Sequence, residues 1–363
     1  MNTRQNKFFF LCTLMILLSC GSSEKSELLI IPIDVYQDES FRLSDISEKI
    51  DVIELETTEN SLIGRGGRFG RMLVSNDYIL YYDRSDFKIL LFDSKGKFLR
   101  QISKRGQGPG EYVGISDITT DFKNNRIYFQ TTSNKLICYD FDGNFINEVS
   151  PFNAVYLNFY NNTLNAIKTY IASGDLTDNK INTVLYEINN NLQIVDSLII
   201  SSISVDKGVF MHNADKHYIT NTDGDIYLYY PLPTNQENLD NYFIRDTLYQ
   251  LNGKDLTPYL KLMFSDEKSQ PIRSIEYVYR SSRYVFTRYL GKDDSGFFCF
   301  DLKTGKGKNM KHMNIDDDIH TEARVLIKPF DSDTDKFYYL HTNIDDSDKE
   351  EPNPTLYIGT LKK

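Results

Sequence analysis

The sequence is poor in the features on which several protein classes depend. It has no tryptophan, only four cysteines among 363 residues, and a formal net charge of −10. A domain that binds nucleic acid carries a basic footprint, so the acidic balance argues against nucleic acid as a partner. The apolar stretch from Phe8 to Leu18 has 11 residues, whereas a membrane-spanning helix needs about 20. A spanning helix is therefore not expected.

Catalytic and metal-binding motifs are also scarce. The chain has no HExxH pair, no zinc-like cysteine pairs and no G-x-S-x-G nucleophile elbow, and its five histidines are scattered. Ser265 to Lys268 fits S-x-x-K, but in a polar loop without the companion motifs. The segment Asp331 to Lys336 has calcium-loop spacing at its first three acids, yet Lys336 stands where glycine is needed. We therefore interpret it as an acidic hairpin and assign no catalytic residue, metal or cofactor.

The amino terminus carries an export signal. Arg4 and Lys7 precede the apolar stretch, and the length of that stretch matches the central region of a secretory signal. At its end the residues Leu17 to Cys20 resemble the lipobox of bacterial lipoproteins, in which the cysteine is lipidated and becomes the first mature residue. An ordinary signal peptide with an incidental cysteine is the alternative. The expectation is a membrane anchor on Cys20.

The residues after Cys20 predict where the protein is held. The tether contains three serines, two glutamates and one lysine between Gly21 and Glu27, too polar to fold alone. Gly21 favours the outer membrane under the common Gram-negative sorting rules, because aspartate at that position would retain the protein in the inner membrane. The expected domains are a signal peptide at 1–19, a lipidated tether at 20–29 and a folded unit at 30–363.

A repeat of aromatic residues indicates the fold. Six apolar runs each end in an aromatic that an acidic or turn-forming stretch often follows, and these residues are Phe92, Tyr139, Tyr186, Tyr249, Phe300 and Tyr357. The steps of 47, 47, 63, 51 and 57 residues are typical of four-stranded propeller blades. The 25 tyrosines and 23 phenylalanines favour strands. The sequence thus predicts an all-β, six-bladed β-propeller of four-stranded antiparallel blades.

The two ends of the chain are expected to complete one blade together. Only six residues follow Tyr357, too few for a fourth strand, whereas Ile50 to Thr57 alternates like a strand before the first repeat. Pairing of that segment with the last repeat would close the ring and remove its open edges. A strand packed elsewhere is the alternative. Asp45 to Lys49 and Pro258 to Phe264 are predicted to form short helical turns.

Cys12 would leave with the signal peptide and Cys20 would be lipidated, so only Cys138 and Cys299 remain as candidates for a disulfide. They occupy equivalent positions in repeats two and five, far apart in a ring, whereas the Cα atoms of a disulfide lie within about 7 Å. Both are expected to be small buried core residues.

One further segment points to a family. Lys104 to Tyr112 reads KRGQGPGEY and resembles the glycine-rich blade junction of NHL-type propellers. Together with LSDISEKIDVIELETT, KILLFDSKGKF and NPTLYIGTLK, it resembles the six-bladed β-propeller lipoprotein family of Gram-negative bacteria over residues 30 to 363. The resemblance implies a fold and a location, not a reaction. We interpret the junction as structural, because no strand-to-helix context or Lys-Ser/Thr pair supports a phosphate loop.

Two blade junctions carry the basic residues that are the candidate ligand-binding set: Arg65, Arg68, Arg71, Lys104 and Arg105. Equivalent junctions lie on one face of a propeller, so these residues could form a basic patch that receives an anionic ligand such as an acidic glycan. Solvated loop charges are the plainer interpretation. The predicted function is an outer-membrane-anchored extracytoplasmic platform that binds or scaffolds a protein partner or a glycan. The alternative is an extracytoplasmic enzyme that acts on glycans or related polymers at the tunnel mouth.

Overall fold

The computed structural model describes residues 28–64, 70–102, 104–172, 180–204, 217–231, 246–265, 272–291, 295–312, 314–342 and 352–363. The first elements in the chain are the strand β1 (Leu29–Ile33), the four-residue helix α1 (Leu43–Ile46) and the strand β2 (Ser47–Glu54). No helix within the described ranges is long and apolar enough to cross a membrane.

The next strands form three antiparallel sheets that follow one another along the chain. Blade 1 contains β3 (Arg71–Val74), β4 (Tyr78–Asp83), β5 (Lys88–Asp93) and β6 (Phe98–Gln101). Blade 2 contains β7 (Ile115–Asp121), β8 (Arg126–Thr131), β9 (Leu136–Asp140) and β10 (Phe145–Val149). Blade 3 contains β11 (Tyr156–Tyr160), β12 (Thr163–Ala172), β13 (Lys180–Ile188) and β14 (Ile194–Ser204).

Three further sheets complete the ring. Blade 4 contains β15 (Ile219–Thr222), β16 (Asp225–Leu228), β17 (Thr247–Asn252) and β18 (Asp255–Phe264). Blade 5 contains β19 (Ile272–Arg280), β20 (Tyr284–Gly291), β21 (Ser295–Asp301) and β22 (Lys306–Met310). A short ribbon of β23 (Ile315–Asp316) and β24 (Arg324–Val325) precedes blade 6, which contains β25 (Lys328–Phe330), β26 (Asp333–His341) and β27 (Thr355–Leu361). The predicted six-bladed β-propeller is confirmed.

The repeated aromatics mark the third strand of every blade. They lie on β5, β9, β13, β17, β21 and β27, and Phe92, for example, is fully buried. Clusters of buried side chains fill the spaces between neighbouring blades; one joins Leu80 and Tyr82 of blade 1 to Ile118 and Phe129 of blade 2. The repeated aromatics in the sequence therefore reflect the packing of neighbouring blades against each other.

Blade 6 is completed by the amino-terminal strand β2. It pairs antiparallel with β27 from Ser47 opposite Leu361 to Glu54 opposite Thr355. The predicted closure is confirmed, and the strand begins three residues before the predicted Ile50. Asn353, next to this seam, donates from Nδ2 to the carbonyl oxygens of Glu56 and Ser61, at 2.9 Å each. The closure is thus fixed by a strand ladder and by buried side-chain bonds.

Two elements differ from expectation. Pro258 to Phe264 is part of β18 and not a helical turn; the register of β18 on β17 shifts where Tyr249 faces Pro258, and such an irregularity is where a strand accepts proline. The strand β1 was not anticipated. It adds to the outer edge of blade 4, parallel to β18, and begins one residue before the predicted boundary of the folded unit. The other predicted turn is present as α1, slightly earlier than Asp45 to Lys49.

The two cysteines of the folded unit are free and buried. Cys138 on β9 and Cys299 on β21 are each 4% exposed. They lie on the third strands of blades 2 and 5, as predicted, and they fill core space.

Candidate functional site

The first strands of the blades bring charged side chains together at the centre of the ring. Arg71 begins β3 of blade 1, and its guanidinium contacts two carboxylates that belong to other blades. Nη1 lies 2.6 Å from Oδ1 of Asp117 on β7, and Nη2 lies 2.7 Å from Oδ2 of Asp331, the residue after β25. These three side chains are 5% to 16% exposed. They tie blades 1, 2 and 6 together across the channel.

Asp331 has further partners from blades 3 and 4. His217 Nδ1 lies 2.6 Å from Oδ1 of Asp331, and the hydroxyl of Tyr156 donates to Oδ2 at 3.0 Å. Burial acts to raise the pKa of Asp331, but His217, Arg71 and Tyr156 together hold that pKa below its ordinary value. Asp331 is thus an ionised carboxylate with both oxygens occupied.

Arg71 and Tyr156, which contact Asp331, also have defined protonation states. Burial opposes the charge of Arg71, but the fields of Asp117 and Asp331 raise its pKa above the ordinary value. Burial, with Asp331 next, raises the pKa of Tyr156 well above 10.0, so its hydroxyl stays protonated. Asp117 also accepts a hydrogen bond from the backbone amide of Leu157 at 2.5 Å. We call Arg71, Asp117, Tyr156, His217 and Asp331 the channel cluster.

A cavity of about 290 Å³ lies against the channel cluster, and Arg71, His217 and Asp331 form part of its wall. Its other lining residues include the following polar and aromatic ones: Thr119, Thr120, Asp121, Lys123, Asn158, Phe159, Tyr160, Asn161, Asn162 and Ser332. Lys123, Asn162 and Ser332 follow the first strands of blades 2, 3 and 6. The cavity therefore opens on the face of the ring where first strands end, which we call the channel mouth.

The electrostatics of the channel mouth limit what it can receive. In the channel cluster the guanidinium of Arg71 and the imidazole of His217 already contact the carboxylates of Asp117 and Asp331. An anion would therefore find no uncompensated cation within this cluster. The rim carries one aspartate, Asp121, and one lysine, Lys123, together with threonine and serine hydroxyls and asparagine amides that bond to neutral polar groups. Among the described residues, no group of three or more histidine, cysteine, aspartate or glutamate side chains is placed so that it could hold a metal ion.

The predicted basic residues occupy two different places. Arg71 lies in the channel cluster and contacts carboxylates. Lys104 and Arg105 are exposed in the junction between blades 1 and 2, where the Arg105 guanidinium carbon lies 5.7 Å from the ring centre of Phe87. Arg65 and Arg68 lie outside the described residues, as does Cys20. A patch that binds an anionic ligand stays a prediction.

The glycine-rich junction between blades 1 and 2 has a structural explanation. The amide of Gly108 donates to Oε2 of Glu111, and the amide of Gly110 donates to Oε2 of Glu148, at 2.9 Å each. Tyr139 OH donates to the Gly110 carbonyl at 2.7 Å. Two amides that could cradle a phosphate already bond to carboxylates, which supports the structural interpretation of this loop.

Sequence reasoning missed four of the five members of the channel cluster. Asp331 was placed in an acidic hairpin, and the turn is present between β25 and β26, but its first carboxylate faces the channel. His217 was one of several scattered histidines. The signal in the sequence is positional, because Asp117 is a charged residue inside the first strand β7, and Asp331 directly follows the first strand β25.

Similarity to a solved structure agrees with the fold. A solved structure of a Bacteroides fragilis protein whose name describes it as exported has a TM-score of 0.64 at 16% identity, and covers 92% of this chain and 100% of its own. BamB from Moraxella catarrhalis matches at a TM-score of 0.42 and 10% identity over 85% of this chain and 100% of its own. A Bacteroides vulgatus member of the DUF4221 family matches at a TM-score of 0.42 and 12% identity, and the match covers 87% of this chain and 97% of its own. No curated protein matches the sequence.

The family assignment comes from the sequence of the folded unit. Residues 28–362 match the family described as a domain of unknown function, DUF4934. That match begins just before β1 and ends at the residue after β27, so it spans all six blades and the closing strand β2. The chain belongs to the DUF4934 family.

Proposed function

We propose that this protein is a lipid-anchored, extracytoplasmic binding platform whose ligand occupies the cavity at the channel mouth. The observation that carries the proposal is the cavity of about 290 Å³, close to the lower end of the range for small-molecule sites. Bonds within the channel cluster fix its charged wall, and its rim consists of polar turns. A rigid ring with such a mouth is suited to binding.

The location rests on the amino-terminal sequence. A charged start, an apolar stretch and the lipobox ending in Cys20 support lipidation, and Gly21 supports the outer membrane. The resemblance to six-bladed propeller lipoproteins and the likeness to a protein described as exported support the same location. Several acyl chains would give stable anchoring without a spanning helix.

The ligand class follows from the charge and the rim of the channel mouth. A phosphate or a carboxylate would find Arg71 and His217 of the channel cluster already engaged by the carboxylates of Asp117 and Asp331. A hydroxyl-rich, uncharged segment of a glycan can bond to Asn161, Asn162 and Ser332, while Tyr160 offers an aromatic surface. We therefore propose a neutral sugar unit as the occupant of the cavity. A protein partner or an acidic glycan would instead use the loops or the predicted basic patch.

A glycan array followed by calorimetry tests this proposal. The lipidated protein in detergent is screened first, and the best ligand is then titrated against two variants. Asn162→Gly with Ser332→Ala removes two polar side chains of the cavity rim, and glycine accepts the positive φ of position 162. Arg65→Ala with Arg68→Ala and Lys104→Ala removes three members of the predicted patch. The cavity proposal predicts a loss of about tenfold or more, equal to about 1.4 kcal/mol, for the first variant alone. A loss confined to the second variant would reject the cavity in favour of the patch.

An enzymatic role has one specific observation in its favour. His217 is held through Nδ1 by an ionised carboxylate and lines the cavity, an arrangement that orients an imidazole for proton transfer at Nε2. If the protein cleaves glycans, His217→Asn should abolish product formation while ligand affinity is kept. Chromatography of oligosaccharides incubated with wild type and variant measures this. Identical product yields from both proteins would exclude the role of His217.

A further inference from the structure

The outer edge of blade 4 carries apolar side chains on both faces. β1 pairs in parallel with β18, with Ile30 opposite Lys261 and Pro32 opposite Met263. Ile31 and Ile33 are fully buried in the core between blades 4 and 5. The opposite face is exposed.

We call that exposed face the blade 4 edge patch and define it by Leu28, Ile30, Pro32 and Met263. Ile30 and Met263 are each 53% exposed, and Leu28 is 37% exposed; Pro32 is exposed as well. A strand with one solvated face normally alternates apolar with polar residues. Aliphatic residues at the outward positions of β1 therefore indicate that something covers them.

The patch lies where the folded unit meets the expected anchor. Leu28 is eight residues after Cys20, and a chain of that length reaches at most about 28 Å when fully extended. A lipidated Cys20 would therefore keep the blade 4 edge patch close to a bilayer surface at a high effective concentration.

We propose that the blade 4 edge patch rests on the phospholipid surface. This inference depends on the proposed lipid anchor. Ile30, Pro32 and Met263 would enter the interfacial region, where burial of apolar area stabilises contact, and the acyl anchor supplies the main affinity. Because this patch lies on the circumference of the ring, the channel axis would lie along the membrane plane. The channel mouth would then open sideways, free to accept a ligand.

Site-directed spin labelling tests the orientation. Single cysteines are introduced by Ile30→Cys and Met263→Cys, with Val195→Cys and Val113→Cys as matched exposed controls at 58% and 50% exposure in the unsubstituted chain. The native Cys138 and Cys299 are buried, so the unsubstituted lipidated chain serves as the labelling blank. Each protein is reconstituted in phosphatidylethanolamine and phosphatidylglycerol vesicles. Collision rates with oxygen and with a water-soluble nickel chelate are measured by power saturation.

The expected result is a severalfold higher oxygen-to-nickel ratio at positions 30 and 263 than at positions 195 and 113. Equal ratios at all four positions, in a protein whose lipid on Cys20 is verified by mass spectrometry, would overturn this inference and leave the anchor intact. Absence of lipid on Cys20 would overturn both. A loss of nickel access at 30 and 263 without a gain of oxygen, together with a dimeric mass, would show that a second copy covers the patch instead.

Discussion

Replacing Asp331 by asparagine removes the charge on which the channel cluster is built. In the native ring this carboxylate contacts Arg71 at 2.7 Å, His217 at 2.6 Å and Tyr156 at 3.0 Å. Removal of one partner from a buried ion pair costs about 3 to 5 kcal/mol. Asp117 still compensates the guanidinium, so we expect the free energy of unfolding to fall by about 3 kcal/mol, the lower end of that range.

The loss should depend on pH in a defined direction. The pKa of Asp331 is lowered in the folded state from about 3.9 when unfolded. Its contribution is therefore fully present above the unfolded pKa and is lost as the pH falls through the folded pKa. Urea unfolding followed by circular dichroism between pH 7 and pH 3.5 should show a constant gap between wild type and D331N near neutrality. The gap should narrow below about pH 4.

Asp333→Asn provides the matched control on the same turn. The Asp333 side chain is 47% exposed and pairs with Lys336 at 3.3 Å, and a surface pair of this kind contributes about 0 to 1 kcal/mol. If D331N and D333N unfold at the same urea concentration at pH 7, Asp331 does not hold the channel together, and our account of the cluster is wrong.

Three further predictions concern the rest of the fold. Asp317→Asn should lower the free energy of unfolding by about 2 kcal/mol at pH 7, because this carboxylate accepts bonds from three backbone amides and two hydroxyls. Since the folded pKa of Asp317 is lowered, the difference in urea titrations should shrink below the unfolded pKa and vanish as the pH falls through the folded pKa. Gly110→Ala should lower the melting temperature more than Gly143→Ala. Both glycines have positive φ, but only at position 110 would a Cβ atom meet a phenyl ring, that of Phe145, at 2.7 Å. Equal melting temperatures of the two variants would contradict this. Cys138 and Cys299 should resist a thiol reagent until the protein unfolds, since burial raises the pKa of Cys138 to about 11 and that of Cys299 well above 9.0; rapid reaction of either thiol in the native protein would disprove their burial.

The blade plan could be predicted because it repeats along the chain. Each third strand ends its apolar run with a large aromatic, and the hairpin turns after β5 and β9 each place a glycine with positive φ, Gly96 and Gly143. Closure by β2 was predictable for the same reason. The last repeat lacks a fourth strand, and an alternating segment before the first repeat can supply it. Period and strand count are local properties of the sequence.

The elements that were missed depend on partners that are remote in sequence. β18 contains a proline that local rules exclude from a strand, but an irregular register on β17 accommodates it. β1 gains its strand pairing from β18, more than two hundred residues away.

The channel cluster is the extreme case of such remote pairing. Arg71 and Asp331 are 260 positions apart, and His217 and Asp331 are 114 apart. A polar residue in a first strand is a candidate for the channel, but only the closed ring determines which of these residues touch.

Hydrogen exchange of the protein with its best glycan ligand, read by mass spectrometry, tests the central claim most directly. We predict that slowed exchange on binding is concentrated in residues 119–123, 158–162 and 329–332, which line the channel mouth, while residues 104–112 in the junction are unchanged. Slowed exchange at 104–112 with no change at the channel mouth would contradict the claim and would place the ligand on the opposite end of the first strands.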